Sequence, residues 1–203
     1  MTIYEKVLGE KFNQLHPQLQ KRYRISLETP FEAAGVMKKI ENGAFWTKPL
    51  LSFFVKRNFL FPESGAGIPF SISNTYRKLP SGEEEILWKR TFDFSGTKRY
   101  FHARMTADSY GQYVRDYLGE PELFYSELHF DVSEDGSLQI SSGKQRILIR
   151  GMEISLPAVL EGKVIVKEGY NELSDAFTIS VDISSIIAGR LMKYEGEFKA
   201  YSF

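Results

Sequence analysis

The sequence predicts an α+β protein that is mostly β: a strongly curved antiparallel sheet or barrel of about ten strands, with N-terminal helices and one further helix covering it. Three observations carry that prediction. From residue 68 onward, short alternating runs are broken about every ten residues by turn-forming residues, which favours hairpins over β–α–β units. Helical spacing is concentrated before residue 60. The stretch 84–106 reads as one hairpin with a single apolar face.

The elements follow in order. Ile3, Val7, Leu8, Phe12 and Leu15 recur near i, i+4 and i+7 and predict a helix over 2–15. Pro17 interrupts it and suits the first turn of a second short helix, to about Arg22. Together, residues 1–24 form a helical cap that packs on one end of the sheet. Phe31, Ala33, Gly35 and Met37 share one side of a strand over 31–41, and Gly35 permits a close backbone approach or a sharp bend. A helix is predicted over 47–58, with Pro49 in its first turn. Trp46, Leu50, Phe53 and Phe54 give it an apolar face suited to a core or to a lid. Only Lys48, Lys56 and Arg57 accompany it, too few for a membrane-surface helix.

The remaining strands are predicted at 68–78, 84–94, 98–106, 122–132, 137–142, 145–150, 152–156, 163–169, 175–183 and 192–201. Pro80-Ser81-Gly82, Ser95-Gly96-Thr97, Asp135-Gly136, Ser142-Gly143, Glu161-Gly162 and Tyr170-Asn171 supply the turns. Residues 109–118 are read as a short helix stopped by Gly119, since Tyr110, Tyr113, Val114 and Tyr117 fit successive turns. Val114, Asp116 and Leu118 would equally alternate along a strand. So many strands should curl or close, because a long open sheet twists and leaves bare edges.

Within the hairpin, Trp88, Arg90, Phe92 and Phe94 share one side, and Phe101, Ala103 and Met105 run in phase on the return strand. A guanidinium on an aromatic face needs a partner, either inside the protein or in a ligand. One reading is a structural arginine bound to a carboxylate or to carbonyl oxygens. The other is an anchor for the head group of an amphipathic ligand, with Arg90, Trp88, Phe92, Phe94, Phe101 and Met105 as binding residues. Trp46, Leu50, Phe53 and Phe54 would then form its lid.

Composition narrows the alternatives. The chain of 203 residues suits a single domain that needs no covalent staple. It has no cysteine, which removes disulfides, thiolate metal sites and a cysteine nucleophile, and suits a reducing cytoplasm. Lys plus Arg number 26 and so do Asp plus Glu, so no general attraction to nucleic acid is expected. The N-terminus lacks the pattern of a secretory signal, and no run reaches the ~18 apolar residues of a transmembrane helix. Gly65 and Gly67 precede a strand rather than a helix, so they read as a tight loop and not as a phosphate cradle. His102 and His129 fall on the polar side of their strands, where two histidines would hold a metal only from adjacent strands. No catalytic motif, cofactor or metal is predicted.

Four pieces, L-H-P-Q-L-Q-K-R-Y, F-P-E-S-G-A-G-I-P-F, W-K-R-T-F-D-F and K-Y-E-G-E-F, resemble in order and spacing a bacterial family, the domain of unknown function numbered 4166. The resemblance spans residues 3–199 and includes Pro62, Gly65, Pro69, Trp88, Arg90, Phe92 and Gly196. It implies a stand-alone member. Some relatives carry this region after a saccharopine-dehydrogenase-like nucleotide-binding domain, which implies a dehydrogenase-like partner. It supplies no activity and no catalytic residues. The expected function is therefore a binding module for a small apolar or amphipathic ligand in a barrel cavity. The alternatives are an enzyme or accessory domain working with that partner, and a structural domain that forms a homodimer.

Overall fold

In the computed structural model, which describes residues 1–202, the strands close into a barrel. The strands are β1 (Phe31–Asn42), β2 (Gly65–Lys78), β3 (Glu84–Phe94), β4 (Thr97–Ala107), β5 (Val114–Gly119), β6 (Glu122–Val132), β7 (Leu138–Ile149), β8 (Met152–Ser155), β9 (Gly162–Asn171), β10 (Ala176–Ser185) and β11 (Gly189–Ser202). Ten of them make the barrel, in the order β1-β2-β3-β4-β5-β6-β7-β9-β10-β11 and back to β1, every pair antiparallel. β8 is an extra strand outside the ring. Closure gives each barrel strand two neighbours and resolves the edge problem that so many strands create.

Two seams show how the sequence allows this. At β1–β11, a Cβ on Gly35 would lie 2.0 Å from the Glu197 carbonyl oxygen, and one on Gly196 would lie 2.4 Å from that of Val36. Only glycine lets these two strands approach so closely. At β7, the first half (Leu138–Ser141) pairs with β9 and the second (Arg146–Ile149) pairs with β8. Side chains take over where the β7–β9 ladder stops. The Gln145 amide accepts from Gly162 N at 2.7 Å and donates to Gly162 O, while Ser142 Oγ donates to Gly162 O at 3.0 Å and accepts from Val164 N at 2.9 Å. These groups satisfy backbone that would otherwise be orphaned.

The N-terminal segment plugs one end. α1 (Ile3–Leu8) starts with a capping box of Thr2 and Glu5, continues as a 3₁₀ turn to Gln14, and is followed by α2 (Pro17–Tyr23), which begins at Pro17 as the sequence predicts. Ile3, Tyr4, Phe12, Leu15, Leu19 and Tyr23 are buried. Arg22 goes furthest in. Its guanidinium carbon lies 4.3–5.7 Å from the rings of Phe31, Trp88, Phe177 and Phe198, which come from four different barrel strands.

Four expectations need correction. Residues 109–118 do not form a helix: a turn at 108–113 leads into β5, which is hydrogen-bonded on both sides to β4 and β6. Two ladders outweigh local helical spacing, as tertiary context does for any short segment. Ser142-Gly143 is not a turn, so the strands expected at 137–142 and 145–150 are one. β7 runs through, with one extra residue bulged opposite Glu127. Gly65 and Gly67 lie within β2, not in a loop before it. The helix expected at 47–58 is α3 (Lys48–Val55), and the chain then leaves helical geometry at Asn58, whose φ is 50°. No helix among the described residues is long and apolar enough to cross a membrane.

Candidate functional site: an apolar barrel cavity

The barrel is not filled. A cavity of about 440 Å³ lies between the helical plug and the opposite mouth, within the roughly 300–1,000 Å³ typical of small-molecule sites. Its walls are the inward residues of alternating strands, such as Leu128, Ile140, Val166, Ile179 and Val181. Three segments surround the mouth: Trp46 to Leu60, Leu156 to Leu160, and Ile187-Ala188. Trp46 and Leu50 are 51% and 45% exposed although they line the cavity, which places them at its rim.

The candidate residues from the sequence divide into two groups. Arg90, Trp88, Phe101 and Met105 line the cavity, as do Trp46, Leu50 and Phe54 from the lid. Phe92 and Phe94 lie apart from it: Phe92 packs on Phe61, Phe70 and Tyr194 at 5.0–5.5 Å, and Phe94 packs on Phe61. Phe53 faces outward and is half exposed. What each part of β3 packs against decides this division. Toward the plug, the side of β3 that carries Trp88 and Arg90 borders empty space. Beyond Arg90 the barrel is packed by the 59–61 segment.

Three polar groups stand on this apolar wall. Arg90 Nε donates to the Phe101 carbonyl at 2.9 Å, and the guanidinium lies 3.9 Å from the Phe101 ring centre. The guanidinium also lies within hydrogen-bonding reach of the Tyr194 hydroxyl. Asp116, on the inward side of β5, is 5% exposed, and its Oδ1 has no partner. No ion pair within 4.0 Å joins it to Arg90, although the positive charge is felt there. Burial raises its carboxyl from 3.8 to about 7, against the opposing pull of Arg90. The Tyr194 hydroxyl on β11 is buried beside Arg90; burial raises its pKa, against the charge of Arg90 and a hydrogen bond from it.

Two further polar sets are satisfied. Glu168 accepts from Arg22 at 2.9 and 3.2 Å and from the Tyr23 hydroxyl at 2.8 Å, which closes the cavity floor. Trp88 Nε1 donates to the Tyr4 hydroxyl at 2.8 Å, and Tyr4 reaches Met105 Sδ at 3.6 Å, tying the wall to the plug. A second hollow, of about 480 Å³, lies against the outer surface near His16 and Tyr170. Its polar groups pair among themselves, His16 with Glu172 and Lys167 with Asp135, and among the described residues it has no unpartnered buried group to offer a ligand. His102 on β4 and His129 on β6 are separated by β5 and so do not come together.

Sequence reading did not single out Asp116, Tyr194 or Glu168. The signal was the alternation itself. Asp116 sits between Val114 and Leu118, Glu168 follows Val164 and Val166, and Tyr194 follows Met192, so each occupies an inward position.

A closed antiparallel barrel, plugged at one end and hollow at the other, is an architecture that can house a small molecule. The particular lineage comes from sequence comparison. The pattern of the family described as domain of unknown function (DUF4166) matches residues 15–198, and the chain belongs to that family. It is also 41% identical over 198 residues to a Bacillus subtilis (strain 168) protein described as uncharacterized protein YndH, covering 98% of this chain and 96% of that one.

Proposed function

We propose that this protein is a binding module that holds one small apolar or amphipathic molecule inside the barrel. The observation that carries this reading is the apolar cavity with unpartnered buried polar groups on its wall. A protein interior is otherwise close-packed and its buried polar groups are otherwise satisfied. Residues 46–54 would act as the lid, with Trp46 and Leu50 at the entrance and Phe54 beneath them. An acid–base enzyme is the second reading, and Asp116 is the residue that favours it, since its carboxyl titrates near neutrality. It lacks the hydrogen-bonded partner that orients a general base, so binding is the reading we adopt.

Both tryptophans, Trp46 and Trp88, line the cavity, so intrinsic fluorescence reports its occupancy. Protein purified from cells should carry a small molecule in native mass spectrometry. After delipidation it should show saturable quenching or a spectral shift with dodecanol. A protein that retains nothing and whose fluorescence ignores dodecanol would refute the reading.

A further inference from the structure

The cavity wall is chemically lopsided. Among the described residues, Arg90 is the only cation that lines it. Its Nε is committed to the Phe101 carbonyl, which fixes the plane of the guanidinium, and the residue lines the hollow. The Tyr194 hydroxyl stands beside it, buried, and as a neighbour of the Arg90 donors it keeps its own hydrogen to donate. Asp116 faces the same space from β5, and its Oδ1 is also unused. Arg90, Tyr194 and Asp116, each at least nine-tenths buried, thus line one hollow, with Asp116 Oδ1 left without a partner and the Tyr194 hydrogen without an acceptor. A buried polar group left unpaired costs on the order of 1–3 kcal/mol, so unmatched groups beside a buried cation mark where a ligand's polar atoms belong.

Resting on the cavity-binding reading, we propose that the occupant is a medium-chain aliphatic carboxylic acid, its carboxylate held by Arg90 and the Tyr194 hydroxyl and its chain laid along the apolar wall. A planar guanidinium and a carboxylate make a matched pair, and the phenol supplies one more donor. A dianionic head such as a phosphate monoester fits less well. The wall offers one positive charge, and the other two charged residues on it, Asp116 and Glu168, are acids. At the roughly 30 Å³ that a water-sized group occupies in a liquid, 440 Å³ holds about fifteen such groups, close to a twelve-carbon acid.

Asp116 gives the site a pH response. It faces Arg90 from β3, Tyr4 from α1, Tyr194 from β11 and Glu168 from β9, the last bound to Arg22 and Tyr23 of α2. Met105 of β4 and Ser126 of β6 are its neighbours in the ladder. A protonated Asp116 can donate to the ligand carboxylate, whereas an ionised one repels it and competes for Arg90. Affinity for the acid therefore falls as pH rises through about 7.

The test compares dodecanoic acid, dodecanol and dodecylamine by tryptophan fluorescence and by calorimetry. At about pH 6 the delipidated protein should bind the acid roughly tenfold or more tightly than the alcohol. Arg90→Met should erase that preference while keeping dodecanol affinity. Tyr194→Phe, which removes one oxygen and no volume elsewhere, should lower the preference severalfold. Between about pH 6 and pH 8.5, where the probe stays ionised, acid affinity should fall in the wild type and hold steady in Asp116→Asn. Equal affinity for acid and alcohol, a preference that survives both Arg90→Met and Tyr194→Phe, or tighter binding of the amine would each overturn the carboxylate assignment and leave the cavity reading standing. Binding of none of the three probes would overturn the cavity reading itself.

Discussion

Replacing Arg22 with methionine should cost about 3–5 kcal/mol of folding stability, the usual penalty for removing one partner of a buried ion pair. The structure gives the reason. Arg22 and Glu168 are each 1% exposed and are joined by two hydrogen bonds, and the Tyr23 hydroxyl also donates to Glu168. Methionine would fill the aromatic cage around position 22 but leave the carboxylate without its cation. That leaves a buried charge uncompensated, which is the source of the penalty. Urea denaturation followed by tryptophan fluorescence measures the loss, and a domain of this size should melt on the order of 6–20 °C lower. Adding Glu168→Gln to Arg22→Met should recover most of it, since no charge is then left buried. The reasoning fails if the single variant lies within about 1 kcal/mol of wild type, or if the double variant is no more stable than the single.

The other expectations can be checked on the same variants panel. Gly35→Ala should cost about 3 kcal/mol or more in urea denaturation, because the new methyl would overlap the Glu197 carbonyl and the Phe198 Cα; Gly143→Ala should cost less than about 1, because its nearest obstacle is the tip of the exposed His129 ring. Asp116→Asn should gain stability relative to wild type, on the order of 4 kcal/mol, between about pH 4 and pH 8. In the wild type the folded state keeps a proton that the unfolded chain releases near 3.8, so stability falls with pH up to about 7 and is level beyond it. A flat difference across that range would mean that Asp116 is not buried as described. Trp46→Ala combined with Leu50→Ala should weaken dodecanol binding severalfold by calorimetry while moving the urea midpoint by no more than about 1 kcal/mol, since both side chains are half exposed.

Much of this architecture was legible in the sequence. The hairpin of β3 and β4 was visible in its alternation, and so was the inward face that carries Trp88, Arg90, Phe101 and Met105. Pro17 marked the start of α2, and Gly35 marked the tight β1–β11 approach. The failures share a cause: they depend on contacts distant in sequence. Residues 114–119 have helix-like spacing, and only β4 and β6 on either side make them a strand. Ser142-Gly143 has turn chemistry, but the ladder with β6 absorbs it as a bulge. Asp116 and Tyr194 belong to the site because a closed ring sets β5 and β11 opposite the same hollow, and alternation alone says inward without saying toward what. The same limit divided Phe92 and Phe94 from Arg90, since one strand face runs past both cavity and packed core.

The β1–β11 seam also has a consequence for how the chain is made. Among the described strands β11 comes last in chain order, and it bridges β10 and β1. During synthesis, β1 through β10 leave the ribosome as an incomplete ring, its oily interior and the Arg22 finger unwrapped until residues 189–202 arrive. Folding is therefore committed late, governed by a contact between segments more than a hundred and fifty residues apart, and belongs with the slow, high-contact-order β topologies. Nascent chains of this protein should depend on chaperones up to the last strand, and a stop codon just before it should yield aggregates rather than a smaller barrel.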